Sequence, residues 1–430
     1  MRILVIGSGG REHALCWKIA QSKLRDKIFC APGNGGISQQ AECIDIKAED
    51  VQRLLEFARK EKIDLTVVGP EIALEAGIVD EFTKAGLRIF GPSKKAARLE
   101  ASKVFAKELM AKYKVPTADF RVFDSAEEAL RYIEKIGVPC VVKADGLAAG
   151  KGVVVAKTIE EAKQAVVSMM QDKIFGAAGS RVIVEECLEG QEASILVFTD
   201  SREVIALASA QDHKRVFDND QGANTGGMGV YSPAPVVTGR LLKEILQTIV
   251  YRTIDGLAKE GIVYRGVLYA GVMLTREGPK TLEFNARFGD PETQAILPRL
   301  KSDLLEVMLA TSEGRLSRVR ALEWDERPCV CVVCASGGYP GDYEKGKEIS
   351  GLEEVAKMND VMVFHAGTVL QGTGYRVQGT EKYITSGGRV LGVTGLGDSI
   401  KEAIDTTYQA VEKINFEGMH YRRDIGQRAL

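Results

Sequence analysis

Leu282-Glu283-Phe284-Asn285-Ala286-Arg287-Phe288-Gly289-Asp290-Pro291-Glu292 alternates apolar and polar residues with a period of two, and the reading of the whole chain turns on that alternation. As a strand over 282–288 it sends Leu282, Phe284, Ala286 and Phe288 to one face and Glu283, Asn285 and Arg287 to the other. The first set is a core face. The second is a row of polar groups in which a carboxylate and an amide oxygen two positions apart suit a shared hard divalent cation. The guanidinium beside them suits a phosphate or a carboxylate. Phosphoryl transfer needs this equipment, because its catalysis consists mostly of placing charge around a moving phosphoryl group. Taken alone, the stretch reads more plainly as an antiparallel strand with a solvated face and a turn at Gly289-Asp290-Pro291. The rest of the chain decides between the two.

With 430 residues the chain is long enough for about three domains of roughly 150 residues each. Its 57 basic and 59 acidic residues leave a net charge of -2, so no global field recruits nucleic acid or an anionic membrane. The apolar run at Met1–Gly7 is too short for a signal peptide, and no stretch approaches the roughly 20 apolar residues of a membrane span. A cytoplasmic monomer, acting on small molecules with neither nucleic acid nor membrane as partner, is expected. The eight cysteines form no framework. Cys331 and Cys334 make a C-x-x-C that no second pair answers, inside a run that alternates like a buried strand, so the cysteines read as reduced core residues.

The N-terminal third begins with an apolar strand, Arg2 to Ile6, then Gly7-Ser8-Gly9-Gly10-Arg11-Glu12-His13 and a helical pattern through Ala20. Strand, glycine turn and helix place backbone N–H groups where a phosphate can bind, and the amides of Gly9, Gly10 and Arg11 are the expected cradle. The dinucleotide fingerprint fails, because Glu12 stands where it needs glycine. The second strand, Lys27 to Cys30, runs into Ala31-Pro32-Gly33-Asn34-Gly35-Gly36 without an acid for a ribose diol. A dehydrogenase is disfavoured. Two further strands, 65–68 and 88–90, end in Gly69-Pro70-Glu71 and Gly91-Pro92-Ser93, which predicts a parallel sheet with its glycine loops along one carboxyl edge.

The middle of the chain opens with a basic helical run from Lys94 to Tyr113. Val138 to Lys143 and Gly152 to Ala156 then read as strands around a glycine-rich loop, Ala144 to Lys151. Gly146-Leu147-Ala148-Ala149-Gly150-Lys151-Gly152 is one residue short of a Walker A loop, has Gly152 in place of its Ser or Thr, and leads into β-branched residues rather than a helix. The loop reads as a flap whose amides close over phosphates while Lys143 supplies a point charge. A strand from Ser180 leaves through an acidic hinge around Glu185, Glu186 and Leu188. The hinge can offer backbone groups to an adenine edge, with Glu192 placed for two ribose hydroxyls, although a charged surface turn has the same composition.

These stretches carry a resemblance. Lys103, Lys143 with its glycine loop, Val184-Glu185-Glu186-Cys187-Leu188 with Glu192, and Glu283-Phe284-Asn285-Ala286-Arg287 stand in the order and spacing of the ATP-grasp ligases. Within them the chain is similar to the phosphoribosylamine–glycine ligase family of purine biosynthesis. The carrying motifs are Gly7 to Leu15, Ala31-Pro32-Gly33-Asn34, Gln211-Asp212-His213-Lys214-Arg215, Asn224-Thr225-Gly226-Gly227-Met228-Gly229 and Arg287 to Gln294, and the resemblance runs to about residue 426. It implies an α/β chain with an ATP-grasp fold, preceded by a Rossmann-like parallel-sheet domain and followed by a small mixed domain. The boundaries expected are 1–101, 102–325 with a lid at about 120–188, and 326–430.

The resemblance implies ATP and Mg²⁺, or Mn²⁺, as cofactors. Lys103 and Lys143 would lie on the phosphates, Gly146, Gly150, Lys151 and Gly152 in the lid, the backbone near Glu185, Glu186 and Leu188 at the adenine, and Glu192 on the ribose. Glu283 and Asn285 would hold the metal and Arg287 would stand beside the γ-phosphate. Gly9, Gly10, Arg11, Asn34, Gly226 and Asp290 are the expected substrate contacts. The reaction implied joins glycine to 5-phosphoribosylamine. Glycine is a zwitterion, so its site must offer an acceptor to the ammonium and cations to the carboxylate, and Asp212 with Arg287 and the metal can supply both. His213 can take a proton, but as one of four histidines without a spaced partner it reads as structural. Two other readings remain open: an ATP-grasp enzyme acting on bicarbonate, and a silent nucleotide sensor, against which the intact pair Glu283 and Asn285 argues. The last hundred residues read as short strands between glycine turns with a closing helix from about 399 to 414, and no chemistry is visible in them.

Overall fold

A computed structural model describes residues 1–146, 152–172, 179–371 and 382–430. Strands β1 (Arg2–Gly7), β2 (Lys27–Pro32), β3 (Glu42–Cys43), β4 (Leu65–Val68) and β5 (Ile89–Phe90) form one parallel sheet in the order β3-β2-β1-β4-β5. Helix α1 (Gly10–Ile19) follows β1. As the sequence predicts, the glycine loops after β1, β2, β4 and β5 share one carboxyl edge. Side chains alternate between two cores: Leu4 and Ile6 pack with Phe29 and Phe82, Ile3 and Val5 with Leu15 and Phe288.

The expected basic helix from 94 to 113 is two helices, Lys94–Ala101 and Lys103–Lys112, broken at Ser102. Ser102 leaves helical backbone and caps the second helix, its hydroxyl accepting from Phe105 N at 3.1 Å. Strands β6 (Phe120–Phe123), β7 (Cys140–Ala144), β8 (Val153–Ala156) and β9 (Val182–Glu186) then build an antiparallel sheet in the order β6-β9-β7-β8. The strand–loop–strand arrangement around the glycine loop is the β7–β8 hairpin. Gly150 and Lys151, expected in that loop, lie outside the described residues.

A second antiparallel sheet, in the order β11-β10-β16-β17, is made by β10 (Gln191–Thr199), β11 (Val204–Ala206), β16 (Gly266–Thr275) and β17 (Gly278–Asn285). Between β11 and β16 the chain makes β12 (Gln211–Asp212), the hairpin strands β13 (Arg215–Phe217) and β14 (Gln221–Asn224), and β15 (Gly229–Ser232). The strand expected at 282–288 starts earlier and stops at Asn285. Ala286 N donates to Glu100 Oε2 at 2.7 Å instead of to β16, so the ladder ends there and Arg287 lies beyond it. A bulge puts Leu282 out of register: Thr281 opposes Val272 and Glu283 opposes Gly271. Pro279 and Thr281 are buried before the bulge, Phe284 and Ala286 after it. The extra residue thus re-aims Glu283 and Asn285 at the end of the strand.

The last hundred residues supply β18 (Cys329–Ala335), β19 (Glu348–Ile349), β20 (Val361–His365), β21 (Thr368–Gln371), β22 (Lys382–Thr385), β23 (Arg389–Leu396) and a helix, Ile400–Val411. Their main sheet, β12-β15-β18-β23-β20, takes two strands from the middle of the chain, so the end of the molecule is stitched to the region around Asp212. All eight cysteines are free and six are buried, with Cys43 exposed. Among the described residues no helix is long and apolar enough to cross a membrane.

Candidate active site

The two antiparallel sheets meet over a cluster of buried charge. Lys143 on β7 and Glu185 on β9 are diagonal neighbours on one sheet face, and Lys143 Nζ lies 3.0 Å from Glu185 Oε2. Lys107, one helical turn after Lys103, reaches the same oxygen at 3.0 Å and Thr117 Oγ1 at 2.8 Å. Burial lowers the Lys107 ammonium to about 8 despite the opposing pull of Glu185. The other carboxylate oxygen, Glu185 Oε1, is buried and has no hydrogen-bond partner among the described residues. Lys143 also donates to Leu282 O at 3.2 Å, tying this sheet to β17.

Lys103 Nζ donates to Gly146 O at 3.2 Å, at the root of the glycine loop, and Gly152 O closes the other side by accepting from Ala144 N at 2.9 Å. In the hinge, Glu186 is exposed and its N–H donates to Asp119 O at 2.9 Å, while Leu188 is half-buried. Glu192, near the start of β10, pairs with Lys214 at 2.8 Å.

Opposite these lysines stand three groups that spend nothing on the protein. Among the described residues no hydrogen bond or ion pair is made by the side chains of Glu283, Asn285 or Asp212, although Asp212 is only 8 % exposed. Burial pushes the Glu283 carboxyl up, but Lys214, Lys103, Lys143 and Arg287 outweigh it and hold the group below its ordinary range. Asp212 goes the other way. Burial raises it to about 7, with Lys214 opposing and Glu292, Glu192 and Glu283 adding to the rise. Glu292 itself is fixed at Oε1 by Tyr269 Oη at 2.8 Å and Ser194 Oγ at 3.2 Å.

A half-buried carboxylate without a protein partner is costly unless something else meets it. Among the described residues no group of three or more His, Cys, Asp or Glu side chains can hold a metal unaided. The donor set of Glu283 and Asn285 therefore fits a hard cation that keeps its remaining positions for phosphate oxygens and water, which is how Mg²⁺ is usually held.

Arg287 is far less free. Its Nε lies 3.1 Å from Glu71 Oε2, its Nη2 2.9 Å from Glu100 Oε1, and its Nη1 donates to Phe288 O at 3.2 Å. Burial lowers its basicity, but Glu100 and Glu71 more than restore it. Burial raises Glu71 in turn, and Arg287 and then Arg11 pull its carboxyl down to about 2.

At the carboxyl edge of the parallel sheet the charges are paired among themselves. Glu12 accepts from Gly9 N at 2.6 Å and from Arg11 Nε at 2.5 Å, and Arg11 Nη1 donates to Phe288 O at 3.2 Å. Glycine at 69 leaves room for this, since a Cβ there would lie 2.1 Å from Glu12 Oε1. Asp290 sits at the first turn of α1. Burial raises its carboxyl, and Arg389, Arg11 and a hydrogen bond from the Arg11 backbone outweigh that. Of the three expected amides, only that of Gly10 has no hydrogen bond among the described residues. Asn34 is spent on scaffolding. Its Nδ2 donates to Ser8 O at 2.9 Å and His365 O at 2.8 Å, and its Oδ1 accepts from Gly36 N and Ile37 N, both at 2.9 Å.

Gly226 is gripped from the C-terminal strands, its N–H donating to Tyr339 Oη at 3.1 Å and its carbonyl accepting from Arg389 Nη1 at 2.6 Å. His213 packs beside Tyr231 with both ring nitrogens buried and without a partner among the described residues, and burial, Arg428 and Arg422 lower it to about 3.

The sequence reading missed Lys107, Glu100, Glu71 as an ion-pair partner, and Arg389. Lys107 carried a signal, its four-residue spacing from Lys103. Arg389 carried none, because its partners at Asp290 and Gly226 lie 99 and 163 positions away. Arg389, from the last hundred residues in which the sequence shows no chemistry, reaches Asp290, one of the expected substrate contacts.

Three family models match the chain in order: the phosphoribosylglycinamide synthetase N domain over residues 1–100, the ATP-grasp (A) domain over 101–293 and the C domain over 329–428. A phosphoribosylamine–glycine ligase of Caldanaerobacter subterraneus is 54% identical over 99% of this chain and 99% of its own. The crystal structure of a phosphoribosylamine–glycine ligase from Thermotoga maritima superposes with a TM-score of 0.83 at 35% identity, covering 99% of this chain and 100% of that one. A biotin carboxylase from Campylobacter jejuni, at 15% identity, shares the fold with a TM-score of 0.70 over 98% of this chain and 92% of that one.

Proposed function

The chain belongs to the phosphoribosylglycinamide synthetase family, and from that we propose that it joins glycine to 5-phosphoribosylamine at the expense of ATP in purine biosynthesis. Glycinamide ribonucleotide, ADP and phosphate are released, with glycyl phosphate as the intermediate. The observation that carries this reading is the group of Glu283, Asn285 and Asp212, unpaired among the described residues, set among the cations Lys103, Lys143, Lys214 and Arg287. Amide formation from a carboxylate needs a better leaving group than oxide, and phosphorylation provides one.

Lys103 and Lys143 hold the phosphates of ATP, and the 146–152 loop, with Gly146, Gly150, Lys151 and Gly152, closes over them to exclude water. The adenine lies against the hinge backbone from Glu185 and Glu186 to Leu188, and the unpartnered Glu185 Oε1 accepts its amino group. Glu192 takes the ribose hydroxyls. Glu283 and Asn285 would hold Mg²⁺, with Mn²⁺ as a substitute, and when bound the cation neutralises charge on the phosphoryl oxygens. A guanidinium has five N–H groups, and Arg287 spends two of them in hydrogen bonds, to Glu71 and Phe288 O, while its Nη2 is ion-paired with Glu100. The N–H groups left over would meet the γ-phosphoryl group, with Glu71 and Glu100 holding the guanidinium in place.

Asp212 receives the ammonium of glycine, whose carboxylate attacks the γ-phosphorus in line. The amine of phosphoribosylamine then attacks glycyl phosphate, held by contacts from Gly9, Gly10, Arg11, Asn34, Gly226 and Asp290. The division of labour follows 1–101 for the phosphoribosylamine side, 102–325 for ATP-grasp with its lid at about 120–188, and 326–430 for the C-terminal domain. The chain works as a cytoplasmic monomer on these small molecules, without nucleic acid.

Steady-state ADP release tests the reading. Release is expected to require glycine and phosphoribosylamine together, and release driven by bicarbonate instead would overturn it. The second reading, a bicarbonate-phosphorylating enzyme, is favoured only by the shared fold of the biotin carboxylase.

A further inference from the structure

Arg389 opens β23 at a bulge, where Ala335 opposes Arg389 and Cys334 opposes Leu391, so the extra residue turns this side chain out of its sheet. Its Nη1 donates to Gly226 O at 2.6 Å and Asp290 O at 2.9 Å, and lies 3.4 Å from Asp290 Oδ1. A Cβ on Gly226 would stand 3.0, 3.1 and 3.2 Å from Cζ, Nη2 and Nη1, nearly equal distances that describe a guanidinium plane lying flat on this glycine. On the next residue, Gly227, a Cβ would lie 2.4 Å from Pro291 Cδ, and its φ of +113° belongs to glycine. Tyr339 Oη accepts from the N–H of Gly226 at 3.1 Å. Two turns from the middle of the chain, 224–229 and 289–291, are thereby stacked together under one arginine from its end.

We infer that Arg389, backed by Tyr339, is a positioning residue for the acceptor half of the reaction. It locks the Gly226–Gly227 turn to the Asp290–Pro291 turn and so sets where Asp290 meets phosphoribosylamine. The inference rests on the proposed ligase activity and adds to it a requirement on the C-terminal strands. Arginine is needed because one flat group both stacks on Gly226 and bridges two carbonyls, whereas a lysine ammonium is a point charge with no plane to stack. The nucleotide contacts belong to other strands, so the loss of Arg389 falls on the acceptor and not on ATP.

The test is steady-state kinetics of the full chain with each of the three substrates varied in turn. For Arg389→Gln, kcat/KM for phosphoribosylamine is expected to fall about 10²-fold, the size of a misplacement of roughly 1 Å, while KM for ATP stays within about twofold. Arg389→Lys restores part of this loss through its charge. Should Arg389→Gln fail to fold, Tyr339→Phe and Gly226→Ala act on the same stack, and each is expected to lower the same parameter about tenfold. Values within about twofold of the unmodified chain, or an equal loss for all three substrates, overturn the inference. An unmodified chain that shows no ADP release with glycine and phosphoribosylamine overturns the ligase reading itself, and is read before any variant.

Discussion

Among the described residues the side chains of Glu283, Asn285 and Asp212, on the proposed nucleotide side, make no hydrogen bond or ion pair, while on the proposed acceptor side Glu12, Asp290 and Asn34 are all engaged, with Arg11, Arg389 and backbone groups. The first arrangement leaves charge unmatched, which on the proposed reading an incoming cation and phosphate chain would relieve. The second is already neutral and hydrogen-bonded, so it can select only by shape and by the few donors left over, such as the Gly10 amide. Preorganised charge that strengthens where charge develops is the larger lever on rate, and a satisfied scaffold is the larger lever on stability and on the acceptor's fit.

The comparison breaks most visibly at Glu283. Glu283→Gln keeps the size of the group and removes its charge, so turnover is expected to fall about 10²-fold or more while binding of a fluorescent ATP analogue persists, because the cation acts mainly in the transition state. Unchanged turnover at saturating Mg²⁺ would contradict the metal role.

On the acceptor side the corresponding probe is shape. Gly69→Ala drives a methyl into Glu12 Oε1, and overpacking of this kind costs about 1–3 kcal/mol in unfolding free energy. Chemical denaturation should show that loss, together with a raised KM for phosphoribosylamine and an unaltered KM for ATP. Equal changes in both constants would mean that the two sides are not separable.

The smallest effect expected is at Glu71, which stands between the sides. Its folded carboxyl is held down to about 2 by Arg287 and Arg11 against burial, so its contribution is present above the ordinary carboxylate range and is lost as pH falls towards 2. The gap in melting temperature between the unmodified chain and Glu71→Gln should therefore narrow from pH 6 to pH 3. A gap that widens on acidification would contradict the pairing.

How much of this could be read from the residues depends on how local each cause is. The glycine-terminated strands at 2–7, 27–32, 65–68 and 89–90 are short-range patterns that survive in the parallel sheet, whereas the period of two expected over 282–288 holds inside β17 only from Glu283 to Asn285. The end of β17 at Asn285 was not legible, because it depends on Glu100 taking the Ala286 N–H from a helix nearly two hundred positions earlier. The break at Ser102 was readable in principle, since serine is a good cap, but the helical period runs through it. The engaged state of the Gly9 amide was hidden for another reason: Glu12 has a helical spacing that fits an exposed first turn as well as a carboxylate folded back on its own loop. Arg389 shows the limit most clearly, since a single arginine at the start of a strand has no local feature that names Gly226 or Asp290 as its partners.

Glu283 and Asn285, unpaired among the described residues, are proposed to receive a divalent cation together with the phosphates of ATP. Free Mn²⁺ followed by electron paramagnetic resonance, while the ion is titrated into the chain with a non-hydrolysable ATP analogue, measures this without reference to turnover. The account predicts nucleotide-dependent Mn²⁺ binding that weakens about tenfold or more in Asn285→Ala and in Glu283→Gln. Binding of equal strength in both variants and the unmodified chain would contradict it.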